Sequence, residues 1–180
     1  MKITTTPIEG ILIIEPQIFK DSRGYFFESY NQYKMEAAGI ALSFVQDNQS
    51  LSQKGAVRGL HFQAPPFEQG KLVRVVAGAV RDVVVDIRKN SPTYGQHFSI
   101  DLSAENQLMF WIPPGFAHGF ETLTDNTIFL YKCTNMYHKN SEGGLFWNDP
   151  AIGIKWQTQD AIVSEKDMIL PTLKDFVSPF

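Results

Sequence analysis

The chain has one cysteine, Cys133, in 180 residues, so no internal disulfide can brace it. It also lacks any uninterrupted apolar stretch near the roughly 20 residues that a membrane-spanning helix needs. The apolar run from Ile8 to Ile14 is broken by Glu9 and has no basic lead-in, which argues against a secretory leader. A cytoplasmic location is the expectation. Charge of one sign is scarce too: 16 Lys and Arg against 19 Asp and Glu leave a formal net charge of -3, with the two signs interspersed. Such a balance implies no broad positive field for holding a nucleic-acid backbone. Tandem repeats, low-complexity tracts and Pro/Ser linkers are missing, so nothing divides the chain, and one domain over residues 1–180 is expected.

What is present is a globular composition, 43% apolar and 19% charged, without the polar bias of a disordered chain. Short runs rich in Val, Ile, Phe and Tyr are punctuated by Gly, Pro, Asn and Asp, the rhythm of a β protein. Expected strands are Ile11 to Ile14, Gly24 to Ser29, Phe44 to Ser52, Val57 to Gln63, Lys71 to Ala77, Ala79 to Ile87, Gln96 to Leu102, Met109 to Ile112, Ala117 to Thr122 and Thr127 to Tyr131. The triplet Val83-Val84-Val85 implies burial on both faces, whereas His97 to Leu102 alternates as a half-exposed strand does. One helix is expected in the first half, Asn31 to Ala38, with Asn31 as cap and Gly39 as stop. After Asn135 the pattern loosens into a loop-rich closing region that includes Ser164-Glu165-Lys166-Asp167. Ten or so strands in one domain predict an all-β two-sheet sandwich or barrel, with a few short peripheral helices.

Chemically suggestive residues concentrate in Arg58-Gly59-Leu60-His61-Phe62-Gln63, Lys71, and Pro113-Pro114-Gly115-Phe116-Ala117-His118. Strand alternation places Arg58 and Leu60 on one side and Gly59 and His61 on the other, so Gly59 would leave ligand space beside the imidazole. A lone histidine is more often a surface or hydrogen-bonded core residue than a catalyst. The Pro113-x-Gly115-x-x-His118 turn, however, resembles the second motif of the cupin jelly-roll superfamily. Metal-binding cupins usually carry a second histidine two residues after the first. Here that position is Gln63, a poor ligand, and the nearby Lys71 would repel a divalent cation. No metal or other cofactor is expected; Glu68 is the residue through which a rearranged metal site would arise.

Along nearly its whole length the sequence resembles the dTDP-4-dehydrorhamnose 3,5-epimerase family. The resemblance rests on Asp21-x-Arg23-Gly24-x-Phe26-x-Glu28, Gln46-Asp47-Asn48-x-Ser50, Val57 to Gln63, Gly70-Lys71-Leu72-Val73, Val83-x-Val85-Asp86-x-Arg88, Pro113-x-Gly115 to Phe120 and Ser164-x-Lys166-Asp167. It implies inversion at C3 and C5 of dTDP-4-dehydro-6-deoxy-D-glucose, the two carbons flanking a ketone. Removing such a proton requires a base, a stabiliser for the enolate oxygen and an acid on the opposite face. By resemblance these are His61 backed by Asp167, Lys71, and Tyr131.

The resemblance further assigns Arg23, Arg58 and Lys166 to the diphosphate. It gives Glu28, Gln46, Asp47, Asn48, Phe26, Tyr137 and Glu142 to the nucleotide, and leaves His118 as a substrate-contacting or supporting group. The segment 23–28 would reach a neighbouring subunit's pocket by strand exchange, so a homodimer is expected. Taken one at a time, plainer roles compete: Tyr131 as an interface aromatic, Asp167 as a helix cap, Lys71 as a solvated strand-end charge. Competing functions are epimerisation at one carbon only, 3,4-ketoisomerisation on the same scaffold, and sugar binding without catalysis.

Overall fold

A computed structural model describes residues 1–180. The strands are β1 (Lys2–Thr5), β2 (Leu12–Glu15), β3 (Phe19–Asp21), β4 (Gly24–Phe26), β5 (Gln46–Ser52), β6 (Ala56–Gln63) and β7 (Lys71–Ala77). They continue with β8 (Ala79–Asp86), β9 (His97–Ser103), β10 (Met109–Ile112), β11 (Phe116–Thr122), β12 (Thr127–Cys133), β13 (Glu142–Gly144) and β14 (Ile162–Val163). One sheet runs β1-β2-β10-β7-β12-β5 and the other β13-β6-β11-β8-β9, with β14 pairing parallel to β6. Two facing, almost wholly antiparallel sheets make the all-β jelly-roll sandwich expected from the strand rhythm.

Three apolar layers hold it together. Val73, Val75, Val84, Phe110, Phe116, Phe120 and Phe129 fill the space between the sheets. Leu60, Phe62, Val83, Val85 and Ile87 pack on the outside of the second sheet beneath Leu145, Ile152 and Ile154. Val84 therefore faces the central core while Val83 and Val85 face the outer one, and all three are 0% exposed, as the unbroken valine run implied. Phe110 and Phe129 are 0% and 1% exposed. Burying each such ring stabilises the fold by roughly 1.5–3 kcal/mol. The third layer covers the first sheet with Met35 and Ile40 around the helix α1 (Gln32–Ala37). Asn31 caps this helix by accepting from the Lys34 N–H at 3.2 Å, and Gly39 follows at φ +85.

Several expectations differ in detail. The strand expected to run to Ser29 stops at Phe26, because β4 pairs only with β3 in a separate hairpin and gains no sheet neighbour. β9 alternates as expected, with Phe98, Ile100 and Leu102 against the central core and Asp101 exposed on the other face, although His97 and Ser99 are half-buried there. The closing region contains β13, β14 and a short helix, α2 (Glu165–Met168), none long enough to leave a periodic signal. No helix is long and apolar enough to cross a membrane.

Candidate active site

A cavity of about 630 Å³ opens between the sheets, with walls from β5, β6, β7, β11, β12, β14 and α2. Its shape on the β6 side depends on a bulge. His61 pairs with His118 but Arg58 pairs with Phe120, so three steps along β6 match two along β11. The extra residue breaks the alternation expected from sequence: Leu60 turns into the outer core, and Arg58 and His61 both line the cavity. Gly59 sits at φ +127, and a Cβ there would lie 2.5 Å from Gly119 Cα and 2.8 Å from the His118 carbonyl oxygen. Its missing side chain makes room for the β11 backbone, not for a ligand as expected, and that close approach is what lets the bulge form.

His61 is held from behind. Its Nε2 lies 2.6 Å from Asp167 Oδ1, and the Gly59 N–H donates to Asp167 Oδ2 at 3.3 Å. The His61 side chain is 30% exposed, that of Asp167 only 4%. Asp167 is delivered by α2, which Ser164 starts by accepting from the Asp167 N–H at 3.2 Å. Burial alone would raise the Asp167 carboxyl, but the hydrogen bonds from His61, Gly59 and Ser164 bring it below its ordinary value. An ionised carboxylate only accepts, so Nε2 carries a ring hydrogen, and in the neutral ring Nδ1 keeps its lone pair.

Lys71, Tyr131, Phe129 and Asn48 belong to the opposite sheet. Tyr131 pairs with Asn48 on β5 and with Val73 on β7, and the Lys71 ammonium lies 6.0 Å from the Tyr131 ring centre. Burial lowers the Lys71 ammonium against the opposing pull of Cys133, Asp82 and Glu142. Burial also raises the Tyr131 phenol, which keeps it protonated at neutral pH. At the cavity floor His118, 6% exposed, places Nε2 at 2.9 and 3.0 Å from the two oxygens of Asp82, which is 0% exposed. Burial pushes Asp82 up and His118 down.

At the mouth, Arg58 Nε donates to Ser52 Oγ at 3.0 Å and its Nη2 to the Leu51 carbonyl at 3.5 Å. Lys166 pairs with Glu142, to which the Tyr137 hydroxyl donates at 2.9 Å. The Tyr137 N–H reaches Gln46 Oε1 at 2.9 Å, and Gln46 donates to Asn48 at 3.0 Å. This chain ties the rim residues to the cavity wall.

Four expected site residues stand apart. Asp47 faces outward and binds Lys132 at 3.0 Å, because the strand alternation that turns Asn48 inward turns its neighbour away. Arg23, Phe26 and Glu28 do not line this chain's cavity either. Arg23 forms a bidentate pair with Asp21, Phe26 is 67% exposed, and Glu28 accepts from Lys34 and Asn31. Gln63 spends its Oε1 on the His138 N–H at 2.8 Å, and neither it nor Glu68 is in the cavity wall. No three His, Cys, Asp or Glu side chains converge where a metal ion would sit.

Two residues that support the site, neither of them a sequence-based candidate, are Asp82 and Ser164. Asp82 interrupts the valines of a strand read as buried on both faces, and a carboxylate there must find a partner; that signal was available. Ser164 lies three residues before Asp167, the spacing of a helix start, and marked the helix that carries the carboxylate.

Comparison with known proteins agrees with this fold. Residues 5–175 match the family described as dTDP-4-dehydrorhamnose 3,5-epimerase. The enzyme of that name from Salmonella typhimurium is 54% identical over 175 residues, 96% of either chain. The crystal structure of a dTDP-6-deoxy-D-glucose-3,5-epimerase from Legionella pneumophila in complex with dTDP-4-keto-L-rhamnose superposes with a TM-score of 0.94. It is 47% identical over 98% of this chain and 94% of that one. The Bacillus anthracis dTDP-4-dehydrorhamnose 3,5-epimerase with TDP and PPi bound gives 0.94 at 46% identity, over 96% and 99%. The chain belongs to the dTDP-4-dehydrorhamnose 3,5-epimerase family.

Proposed function

We propose that this protein converts dTDP-4-dehydro-6-deoxy-D-glucose to dTDP-4-dehydro-6-deoxy-L-mannose by inverting C3 and C5, a step toward dTDP-L-rhamnose. The observation that carries the reading is the division of the cavity: His61 with its carboxylate on one sheet, Tyr131 and Lys71 on the other. Inversion needs proton removal from one face of a ring carbon and proton return to the other. A pyranose lying between the sheets meets a base on one side and an acid on the other.

In this mechanism His61 Nδ1 takes the proton beside the ketone. The C–H electron pair becomes the new C=C bond and the carbonyl π pair moves onto O4, where the Lys71 ammonium stabilises the enolate. Asp167 holds the imidazolium that results. The electrons return, the carbon takes the Tyr131 hydroxyl proton from the opposite face, and solvent resets both groups before the second carbon reacts. Arg58 and Lys166 bind the diphosphate at the mouth. Glu142, which pairs with Lys166 in the free protein, yields it to the incoming anion and joins Tyr137, Gln46 and Asn48 at the nucleotide.

The exposed β3–β4 hairpin supports a homodimer in which Arg23, Phe26 and Glu28 complete the neighbouring subunit's site. Each subunit leaves these residues outside its own cavity, and Phe19, Tyr25 and Phe26 are all more than half exposed. The test of the reaction is product NMR after incubating the purified protein with the 4-keto sugar nucleotide. Inversion at both C3 and C5 is expected. Inversion at one carbon, a displaced ketone, or tight binding without turnover would replace the proposal with a mono-epimerase, a ketoisomerase or a sugar-binding protein respectively.

A further inference from the structure

Asp82 touches no part of the cavity, yet its only side-chain partner is a residue that does. We propose that Asp82 is a positioning residue that acts through His118, fixing the ring hydrogen on Nε2 so that Nδ1 faces the substrate as a hydrogen-bond acceptor for a sugar hydroxyl. The inference rests on the reading of the cavity as a 4-keto sugar site.

Three observations support it. First, Asp82 Oδ1 and Oδ2 lie 3.0 and 2.9 Å from Nε2. That near-symmetry suits a ring N–H pointing between two oxygens of a carboxylate; a protonated carboxyl would bring one oxygen close and leave the other remote. Second, His118 lines the cavity and its Nδ1 neither bonds to the protein nor is sealed from the cavity, so this nitrogen is the one a ligand meets. Third, the surroundings favour a neutral ring: His118 is 6% exposed, stacks on Phe129, and shares the cavity with the Lys71 ammonium. A neutral imidazole with hydrogen on Nε2 has one remaining role, accepting at Nδ1. The substrate's donors are its ring hydroxyls, while its ketone is an acceptor already matched by Lys71. An acceptor on the floor and a donor at the wall therefore fix which edge of the pyranose faces which residue.

The experiment combines a spectrum and a rate. Long-range nitrogen–proton NMR of the histidine-labelled wild-type protein should show His118 protonated at Nε2 and bare at Nδ1 through the neutral range. Asp82→Leu removes the acceptor; its His118 should redistribute hydrogen between the two nitrogens. Turnover should fall about 10- to 100-fold, the scale of one hydrogen bond to a charged group, while affinity for thymidine diphosphate stays within about threefold. A purely structural Asp82 would shift neither the nitrogen spectrum nor kcat apart from stability. Wild-type His118 protonated at Nδ1, or full kcat in Asp82→Leu, would overturn the proposal; the first needs no variant to fold. If the wild type fails to turn over the sugar nucleotide, the reaction assignment fails instead, and the nitrogen spectrum still decides how Asp82 holds His118.

Discussion

Replacing Asp167 by asparagine changes one atom of the dyad, and the surrounding hydrogen bonds dictate the consequence. In the native protein one carboxylate oxygen accepts from the Gly59 N–H at 3.3 Å and the other faces His61 Nε2 at 2.6 Å. An asparagine must keep its oxygen toward the Gly59 donor, which leaves its NH₂ pointing at Nε2. That nitrogen must then accept, so the ring hydrogen moves to Nδ1 and the lone pair that should take the sugar proton is lost. The charge that holds the imidazolium disappears as well, a hydrogen bond of about 1.5–3 kcal/mol. Together these place the loss in kcat at roughly 10²–10⁴-fold, the range of general-base catalysis. Thymidine diphosphate affinity and thermal stability should change little, because the amide fits the same space. Steady-state kinetics with the 4-keto sugar nucleotide provide the assay. An Asp167→Asn protein with more than about a tenth of wild-type kcat would refute the tautomer reasoning.

Other consequences follow from the same geometry. Gly59→Ala drives a Cβ into Gly119 at a backbone angle that disfavours side chains, and should cost roughly 2–5 kcal/mol in urea unfolding; wild-type stability would show that the bulge has no such constraint. Asp86 is fully buried, and although burial raises its carboxyl, hydrogen bonds from Arg88, Ser91 and Thr93 outweigh this and bring it from an ordinary 3.8 to about 2. A depressed carboxyl stabilises the fold above its unfolded value and ceases to do so as pH falls through the folded one. About 2 kcal/mol should therefore fade between pH 3.8 and 2, and Asp86→Asn should remove this acid dependence in denaturant titrations. Phe26→Ser should leave the monomer fold intact but weaken both self-association in analytical ultracentrifugation and nucleotide affinity; a monomeric wild type would remove the shared-site proposal.

The legible parts of this molecule were those governed by local chemistry. The run Val83 to Val85 announced burial on both faces, and Asn31 with Gly39 bounded a helix by capping alone. Motif positions alone group His61, Lys71, Tyr131, His118 and Asp167, and all five line one cavity. What failed was anything decided by a distant neighbour. Strand alternation assigned Arg58 and His61 to opposite faces, because a bulge is a property of two strands and only β11 reveals it. Asp47 was grouped with Asn48 through a shared motif, although adjacent strand residues face opposite ways. Arg23 and Phe26 sit on a hairpin that pairs with neither sheet, and Glu28 follows it, so no reading of one chain brings them to its own cavity.

The central claim is that protons leave one face of the sugar to His61 and return to the other from Tyr131. Its most direct measurement is NMR of both ring positions during incubation in heavy water, for the wild type and for Tyr131→Phe. The wild type should place deuterium at C3 and C5 with inverted configuration. Tyr131→Phe retains the base and should exchange deuterium into the substrate while forming little inverted product. Full inversion by Tyr131→Phe, or inversion in the wild type without solvent deuterium, would contradict the two-faced mechanism.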